Sequence, residues 1–220
     1  MRGIKNAFAN KLNLNKPIGL LLISILFHDI GLGQKPVSDA YKIYSTIIKS
    51  EISDSTKSIG IIKINIDSQS VNDNTSAIAN AIKSQNMEEL GQIFFWTENG
   101  QAQRPVAIDD ITQSCLSKFF ASPPTSFILA NKFYLNTQIY LLKRNPIAHV
   151  KNWGKFYHKN PGSGGIFSFS VIKYFDTNPD TAIVYYWHRR HGLNGHGAIT
   201  VLAQINYEWK IKYKIYTWWN

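Results

Sequence analysis

The ten residues from His188 to Gly197 (HRRHGLNGHG) hold the densest group of reactive side chains in the sequence. The imidazoles of His188, His191 and His196 lie close together, and three protein nitrogens plus a water molecule are a ligand set of catalytic zinc. The spacing matches no established zinc motif. No carboxylate lies in the segment, so an acid that orients the rings would have to come from elsewhere in the fold. One interpretation is therefore a metal-dependent hydrolase.

The same segment also has the groups that bind an anion. Two arginines supply guanidinium groups, and backbone N–H groups beside the glycines supply further donors. On this interpretation the ligand-binding residues are Arg189, Arg190, His191, Asn194 and His196. A third interpretation needs no ligand, because a tight connection between strands uses glycines for positive φ and leaves the histidines incidental. The sequence alone leaves these three interpretations open.

Other candidates for chemistry are weaker. The PGSGG stretch at 161–165 precedes a strand, so it lacks the helix N-terminus of a phosphate loop, and Pro161 replaces the first glycine of a nucleophile elbow. Cys115 lies on an apolar stripe that is typical of a buried side chain. The acid pairs at 88–89 and 109–110 are adjacent in sequence, so their side chains diverge. We therefore predict no catalytic residue and no cofactor.

Alternating side chains near the C-terminus predict an antiparallel sheet. One face of the last strand is apolar and the other is basic, with Trp209, Ile211, Tyr213, Ile215 and Trp219 opposed to Lys210, Lys212 and Lys214. This pattern is typical of a sheet with one solvent-facing side, and lysines on a terminal strand discourage pairing with a second molecule. Strands predicted at 167–171, 181–188 and 198–205 complete a four-stranded antiparallel meander. A helix that begins at 145–146 packs on it, so the fold class is α+β.

The first half of the chain predicts helices and a strand. A helix from Ser38 to Glu51 follows from apolar residues at helical spacing, namely Val37, Tyr41, Tyr44, Ile47 and Ile48. A strand is predicted at 61–66, a second helix at 77–87 and a third helix that Asp109 caps. The segments 91–108 and 128–142 are compatible with more than one structure.

The N-terminus has the three parts of a secretory signal peptide. Four basic residues precede an uncharged apolar run at 18–27, and small residues follow at 31–33. Ten helical residues span only about 15 Å, half of a bilayer core, so we predict a cleavable signal at 1–33 rather than a transmembrane anchor. A buried N-terminal helix is the alternative. Because Cys115 lies far from the cleavage region, a lipid-modified N-terminal cysteine is excluded.

Positive charge is concentrated in the last third of the chain. Residues 143–220 carry eleven basic and three acidic side chains, a net +8 of the total +10. Such a surface favours acidic partners, so we expect an anionic ligand, a glycan or an envelope component, unless the charge serves solubility alone. No nucleic-acid-binding motif is present.

Several stretches of the second half resemble a known group of proteins. They are FYHKNPGSGGIFSFS at 156–170, the VYY strand at 184–186, GLNGHG at 192–197 and WKI at 209–211. Over about residues 145–220 the chain resembles an uncharacterised family of exported Bacteroidota proteins. The resemblance implies export and an α+β fold, and it implies no activity. In that family the glycine-rich loop often holds cysteines, whereas His191 and Asn194 stand near those places here, so no disulfide or thiol role carries over.

These patterns predict an exported protein, periplasmic or secreted, whose residues 34–220 form a single α+β domain. A binding or envelope-associated module with a basic C-terminal surface is favoured over an enzyme. The metal-dependent hydrolase built on His188, His191 and His196 is the alternative. A structural protein of the envelope that binds no small ligand is a third hypothesis.

Overall fold

A computed structural model describes residues 37–64, 66, 68–84, 95–96, 102–103, 109–121, 128–143, 153–175, 177–191 and 194–219. The predicted signal peptide and the predicted helix start at 145–146 lie outside these residues. Within them the chain forms four helices, α1 (Val37–Glu51), α2 (Ser68–Ser84), α3 (Asp110–Ala121) and α4 (Trp153–Lys159). None of these helices is long and apolar enough to span a bilayer.

Within the described part of the chain, nine strands form one sheet. They are β1 (Ser58–Ile62), β2 (Phe95–Trp96), β3 (Ala102–Gln103), β4 (Gln138–Leu142), β5 (Ser163–Phe169), β6 (Lys173–Phe175), β7 (Asn178–His191), β8 (Asn194–Ile205) and β9 (Glu208–Trp219). The strand order is β3-β2-β9-β8-β7-β5-β1-β4, and β6 pairs with β7 outside this path. All pairings are antiparallel except those of β1, which is parallel to both β4 and β5. The predicted α+β class is confirmed.

The sheet is larger than the four strands expected from the sequence. Strands β5, β7, β8 and β9 are antiparallel neighbours, but β1 and β4 extend the sheet on one side and β2 and β3 on the other. β1 is buried along its whole length because it lies between two strands. For the same reason β1 does not follow the alternation predicted at 61–66. It also begins at Ser58 and ends at Ile62, earlier than the predicted strand.

Helices cover both faces of the sheet centre. The apolar stripe predicted for α1 is confirmed, since Tyr41, Tyr44, Ile47 and Ile48 pack in one core cluster with β5, β7 and β8. Helices α2 and α3 pack in a second cluster on the other face, with alternate residues of β7, β8 and β9. The expectation of one solvent-facing side is therefore wrong for the sheet centre, where all of 181–186 is buried.

Two bulges in β9 change which side chains face α1. Thr200 pairs with Lys214 and Leu202 pairs with Ile211, so β9 has one residue more than β8 between these points. A bulge inserts one residue and turns the following side chains to the opposite face. Trp209 belongs to the cluster on the α1 side. After the bulge Lys214 faces that side, so the prediction that all three lysines are solvated is wrong for Lys214, which is buried.

The glycine-rich segment continues two strands instead of forming a long loop. β7 extends to His191 and β8 begins at Asn194, and Gly197 pairs in register with Trp187. Among the described glycines only Gly162 and Gly165 have positive φ, so the predicted positive φ does not apply to Gly195 and Gly197. A side chain at Gly197 would collide with the indole of Trp218, so glycine here provides space.

Candidate functional site

A cluster of polar side chains lies where the end of α1 meets β7, β8 and β9. Glu51 is the last residue of α1, and it continues the apolar stripe at helical spacing from Tyr44 and Ile48 onto the sheet. His188 and His196 are cross-strand partners, so both imidazoles lie on one face of the sheet. Lys214 reaches the same face because of the β9 bulge. Strand register thus brings together residues that are far apart in the chain.

The Glu51 carboxylate is the centre of this cluster. Its Oε1 accepts hydrogen bonds from the Lys214 ammonium and from the Tyr186 hydroxyl, the latter at 2.7 Å. Its Oε2 faces Nε2 of His196 at 3.2 Å and Nδ1 of His188 at 3.5 Å. The side chains are almost buried, with 6% of Glu51, 1% of His188, 11% of His196 and 9% of Lys214 exposed. We call Glu51, Tyr186, His188, His196 and Lys214 the Glu51 cluster.

Opposing effects determine the charge of Glu51. Burial by itself would raise the pKa of this carboxyl, since a charged group loses its hydration. The neighbouring imidazoles of His188 and His196 and the Lys214 ammonium outweigh burial and hold the pKa of Glu51 well below its usual range. Burial and the negative charge of Glu51 raise the pKa of Tyr186 far above its usual value. The cluster therefore contains a carboxylate and a neutral phenol.

His188 has one nitrogen with a partner and one without. Its ring stacks on Phe167 at a centroid distance of 4.0 Å, and its Nε2 lies 2.8 Å from the carbonyl oxygen of Gly164. Because a carbonyl only accepts hydrogen bonds, Nε2 must carry the hydrogen. Nδ1 has no hydrogen-bond partner among the described residues. Burial lowers the pKa of His188, because a charged ring would lose its hydration.

His196 is the most exposed of the groups around Glu51 Oε2. Its Nε2 lies 3.4 Å from the Tyr186 hydroxyl oxygen. Its ring stacks on Trp219 at a centroid distance of 5.3 Å and meets Tyr216 edge-on at 5.0 Å. Trp219 is itself exposed, so the side of the cluster at His196 and Trp219 is the one nearest to solvent.

An open cleft of about 340 Å³ lies beside the cluster. It is lined by Glu51, Ile52, Ser53, Ser55, Thr56, Gly162, Ser163, Gly164 and Arg190. The Arg190 guanidinium donates a hydrogen bond to the backbone carbonyl of Glu51 at 2.5 Å, and the Tyr157 hydroxyl donates to the carbonyl of Arg190. Arg190 therefore holds a defined position at the C-terminal end of α1.

The five residues that the sequence predicted to bind an anion lie in different places in the structure. Of the predicted anion-binding set, Arg190 lines the cleft, while His196 belongs to the Glu51 cluster. Arg189 projects from the other face of β7, where its guanidinium lies 5.6 Å from the Trp187 ring and 5.3 Å from the Trp218 ring. Asn194 is exposed and pairs with His191 at the strand ends. The five residues do not form one site, because alternate residues of a strand face opposite ways.

The predicted set of three histidines also needs correction. His188 and His196 converge, but His191 is exposed, and its ring lies 6.2 Å from the ring of Trp153 on α4. His191 is separated from His188 by an odd number of positions, and alternate residues of a strand face opposite ways. The third group that faces the two imidazoles is Glu51. The helical spacing from Tyr44 and Ile48 was a signal that Glu51 is buried, but nothing local indicated its partners.

Comparisons with known proteins add no further information about the site. No known protein family, curated protein or solved structure matches this chain. The function must therefore be inferred from the geometry.

Proposed function

We propose that the protein is an exported binding protein whose cleft beside Glu51 takes a small, hydroxyl-rich anion such as an acidic sugar. The observation that carries this proposal is the composition of the cleft, which combines one positioned guanidinium with several hydroxyl groups. Its volume of about 340 Å³ lies in the range of roughly 300–1,000 Å³ that is usual for small-molecule sites.

Arg190 supplies the binding group for the anionic end. A guanidinium has five N–H donors and pairs with carboxylate or phosphate oxygens in a bidentate manner. The hydrogen bond to the Glu51 carbonyl also places the positive charge over the negative end of the α1 dipole. The Glu51 carboxylate itself is paired with the Lys214 ammonium, which reduces its repulsion of an anion.

The hydroxyl groups of the cleft suit the body of a sugar. Ser53, Ser55, Thr56 and Ser163 each offer one donor and two acceptor positions. Ser53 and Ser55 lie 2.8 Å apart through their hydroxyl oxygens, so the loop after α1 presents these groups side by side. A ligand rich in hydroxyl groups would replace the hydrogen bonds that water makes here.

Binding is tested by calorimetry of the full chain with glucose 6-phosphate, glucuronate and glucose. We expect both acidic sugars, or the phosphorylated one alone, to bind at least about tenfold more tightly than glucose, since charge-assisted hydrogen bonds are the stronger ones. Arg190→Gln is expected to remove this preference. Arg189→Gln is the matched control, because it removes the same charge from the opposite face of β7.

A blocking variant keeps the test independent of folding. Ser55→Trp fills the cleft from an exposed loop position and leaves the core unchanged. It is expected to abolish binding without a change in the circular dichroism spectrum. Absence of binding to either acidic sugar at millimolar concentration, or an equal loss in Arg189→Gln and Arg190→Gln, contradicts the proposal.

Export is proposed from the N-terminal sequence and from the resemblance to exported proteins. Cell fractionation of the untagged chain in a Gram-negative host, with N-terminal sequencing, tests it. The expected product is a periplasmic or secreted protein that begins near residue 34. A cytoplasmic protein that retains residues 1–33 would contradict export, and it would leave the binding measurements unaffected.

A further inference from the structure

One nitrogen of His188 faces a carboxylate oxygen in the buried part of the Glu51 cluster. His188 donates through Nε2 to the Gly164 carbonyl, so Nδ1 is the ring nitrogen that is left for a second partner. Nδ1 lies 3.5 Å from Oε2 of Glu51 and has no hydrogen-bond partner among the described residues. A polar atom of a side chain that is 1% exposed has lost its hydration, so a cation that binds both atoms would compensate for this loss.

Two separations among the three ligand atoms fit a tetrahedral ion. Zinc binds histidine nitrogen and carboxylate oxygen at about 2.0–2.2 Å, so neighbouring ligands of a tetrahedral site lie about 3.3 Å apart. Oε2 of Glu51 lies 3.2 Å from Nε2 of His196 and 3.5 Å from Nδ1 of His188. All three atoms lie within 4.8 Å of one another. For both imidazole nitrogens to reach one ion, the rings of His188 and His196 turn towards each other from within this distance.

Hydrogen bonds and ring stacking around the site orient the proposed ligand side chains. Metal-binding histidines commonly donate their second N–H to a backbone carbonyl, as His188 does to Gly164. Lys214 and Tyr186 both occupy Oε1 of Glu51, so Oε2 is the oxygen left for an ion. The stacking of His188 on Phe167 and of His196 on Trp219 sets the orientation of both rings.

We propose that Oε2 of Glu51, Nδ1 of His188 and Nε2 of His196 bind a divalent transition-metal ion of the zinc type. Two imidazoles and one carboxylate favour such an ion over magnesium or calcium, which prefer oxygen ligands. Among the described residues no further cysteine, histidine, aspartate or glutamate joins the group, which leaves the fourth position to water on the side of His196.

The metal site is a separate proposal from the sugar site of the cleft. The proposed ligand atoms are side-chain atoms on the sheet face, whereas Arg190 is held by the backbone carbonyl of Glu51. Either proposal can fail without the other.

The experiment measures metal content and metal affinity of the full chain, produced without a histidine tag. After dialysis against a chelator and then buffer, the protein is titrated with Zn²⁺ and with Co²⁺. We expect one equivalent of either metal, the intense visible absorption of tetrahedral cobalt, and a higher melting temperature in Zn²⁺. Elemental analysis gives the stoichiometry.

Variants identify the ligands. Glu51→Gln and His196→Gln keep the size and polarity of the side chain, and each is expected to weaken Zn²⁺ binding by at least about 100-fold. His191→Gln is the matched control, since His191 is a neighbouring but exposed imidazole that does not face Glu51. It is expected to bind metal as the unchanged protein does.

Two outcomes overturn the proposal. One is a folded chain, by circular dichroism, that retains less than a tenth of an equivalent of zinc and shows no cobalt band. The other is metal binding that His191→Gln removes, or that both Glu51→Gln and His196→Gln leave intact.

Discussion

The ammonium of Lys214 binds the carboxylate of Glu51, which lies 163 positions earlier in the chain. Lys214 is on β9 and Glu51 ends α1, so this contact joins the first described helix to the last strand. Both side chains are nearly buried. Two charges removed from water stabilise a fold only while both are present, because each compensates for the lost hydration of the other.

Removal of one partner of this ion pair is therefore expected to destabilise the protein. Lys214→Met keeps the length of the side chain but leaves the Glu51 carboxylate with the Tyr186 hydroxyl as its remaining donor at Oε1. We expect the free energy of unfolding to fall by about 3–5 kcal/mol, as is usual when one member of a buried ion pair is removed. Urea unfolding in the presence of a chelator measures this change.

A double variant tests whether this loss of stability comes from the interaction between the two charges. Glu51→Gln together with Lys214→Met removes both charges, so the double variant is expected to be more stable than the sum of the single effects predicts, by at least about 1 kcal/mol. Strictly additive effects would show that the two charges do not interact.

Gly165 is predicted to tolerate no side chain. It lies within β5 with φ of 106°, and a Cβ atom there would collide with the backbone carbonyl of Arg189 on β7. Gly165→Ala is therefore expected to lose at least about 2 kcal/mol of stability from strain and steric overlap. Thermal and urea unfolding check this value.

Gly154 provides the matched control for that substitution. It lies on the exposed side of α4, and a Cβ atom there meets nothing within 4 Å. Gly154→Ala is expected to raise stability by about 0.5–1 kcal/mol, because alanine favours a helix more than glycine does. A similar loss in both variants would contradict the argument from β5 geometry.

Asp109 is expected to make the stability of the protein depend on acid pH. It caps α3 through Thr112, and it binds Lys212 at 2.7 Å. Burial alone would raise its pKa, but the hydrogen bonds from Lys212 and Thr112 lower it from 3.8 to about 2. Because the folded pKa lies below the unfolded one, the stabilisation is complete above pH 3.8 and is lost as the pH falls through 2.

Screening by solvent limits the contribution of Asp109 to the pH dependence of stability. The Asp109 side chain is 39% exposed, so we expect at most about 1 kcal/mol between pH 5 and pH 2. Asp109→Asn should unfold with that much less pH dependence in urea, since asparagine still caps the helix. Asp110→Asn removes the same charge from the neighbouring exposed residue, and an equal effect there would contradict the role of Asp109.

Ser170 is expected to stabilise the sheet through its hydroxyl group. The side chain is fully buried, and its oxygen accepts a hydrogen bond from the backbone N–H of Tyr185 at 3.0 Å while it donates to the carbonyl of Val171. Ser170→Ala leaves the Tyr185 N–H without this acceptor, at a cost of about 1–3 kcal/mol. Urea unfolding measures it, and the exposed Ser114→Ala in α3 is expected to change stability by less than about 0.5 kcal/mol.

Elements with a strong local pattern were predictable. The helical spacing of Tyr41, Tyr44 and Ile48 predicted α1, and the cap at Asp109 predicted the start of α3. The alternation from Trp209 onward predicted β9. These signals are local, since they depend on which neighbours along the chain share one face of an element. The short strands β2 and β3 had no comparable signal, because each is two residues long.

The candidate site was predictable only in part. The sequence by itself determined that His188 and His196 lie at the two ends of a short connection between strands, but it left open whether their rings converge. It also determined that a carboxylate would have to come from outside the segment. The tertiary structure alone decided that this carboxylate is Glu51 and that Lys214 turns inward. The physical reason is that a bulge shifts side chains between faces, and the alternation of residue types along β9 alone does not show where its pairing with β8 is bulged.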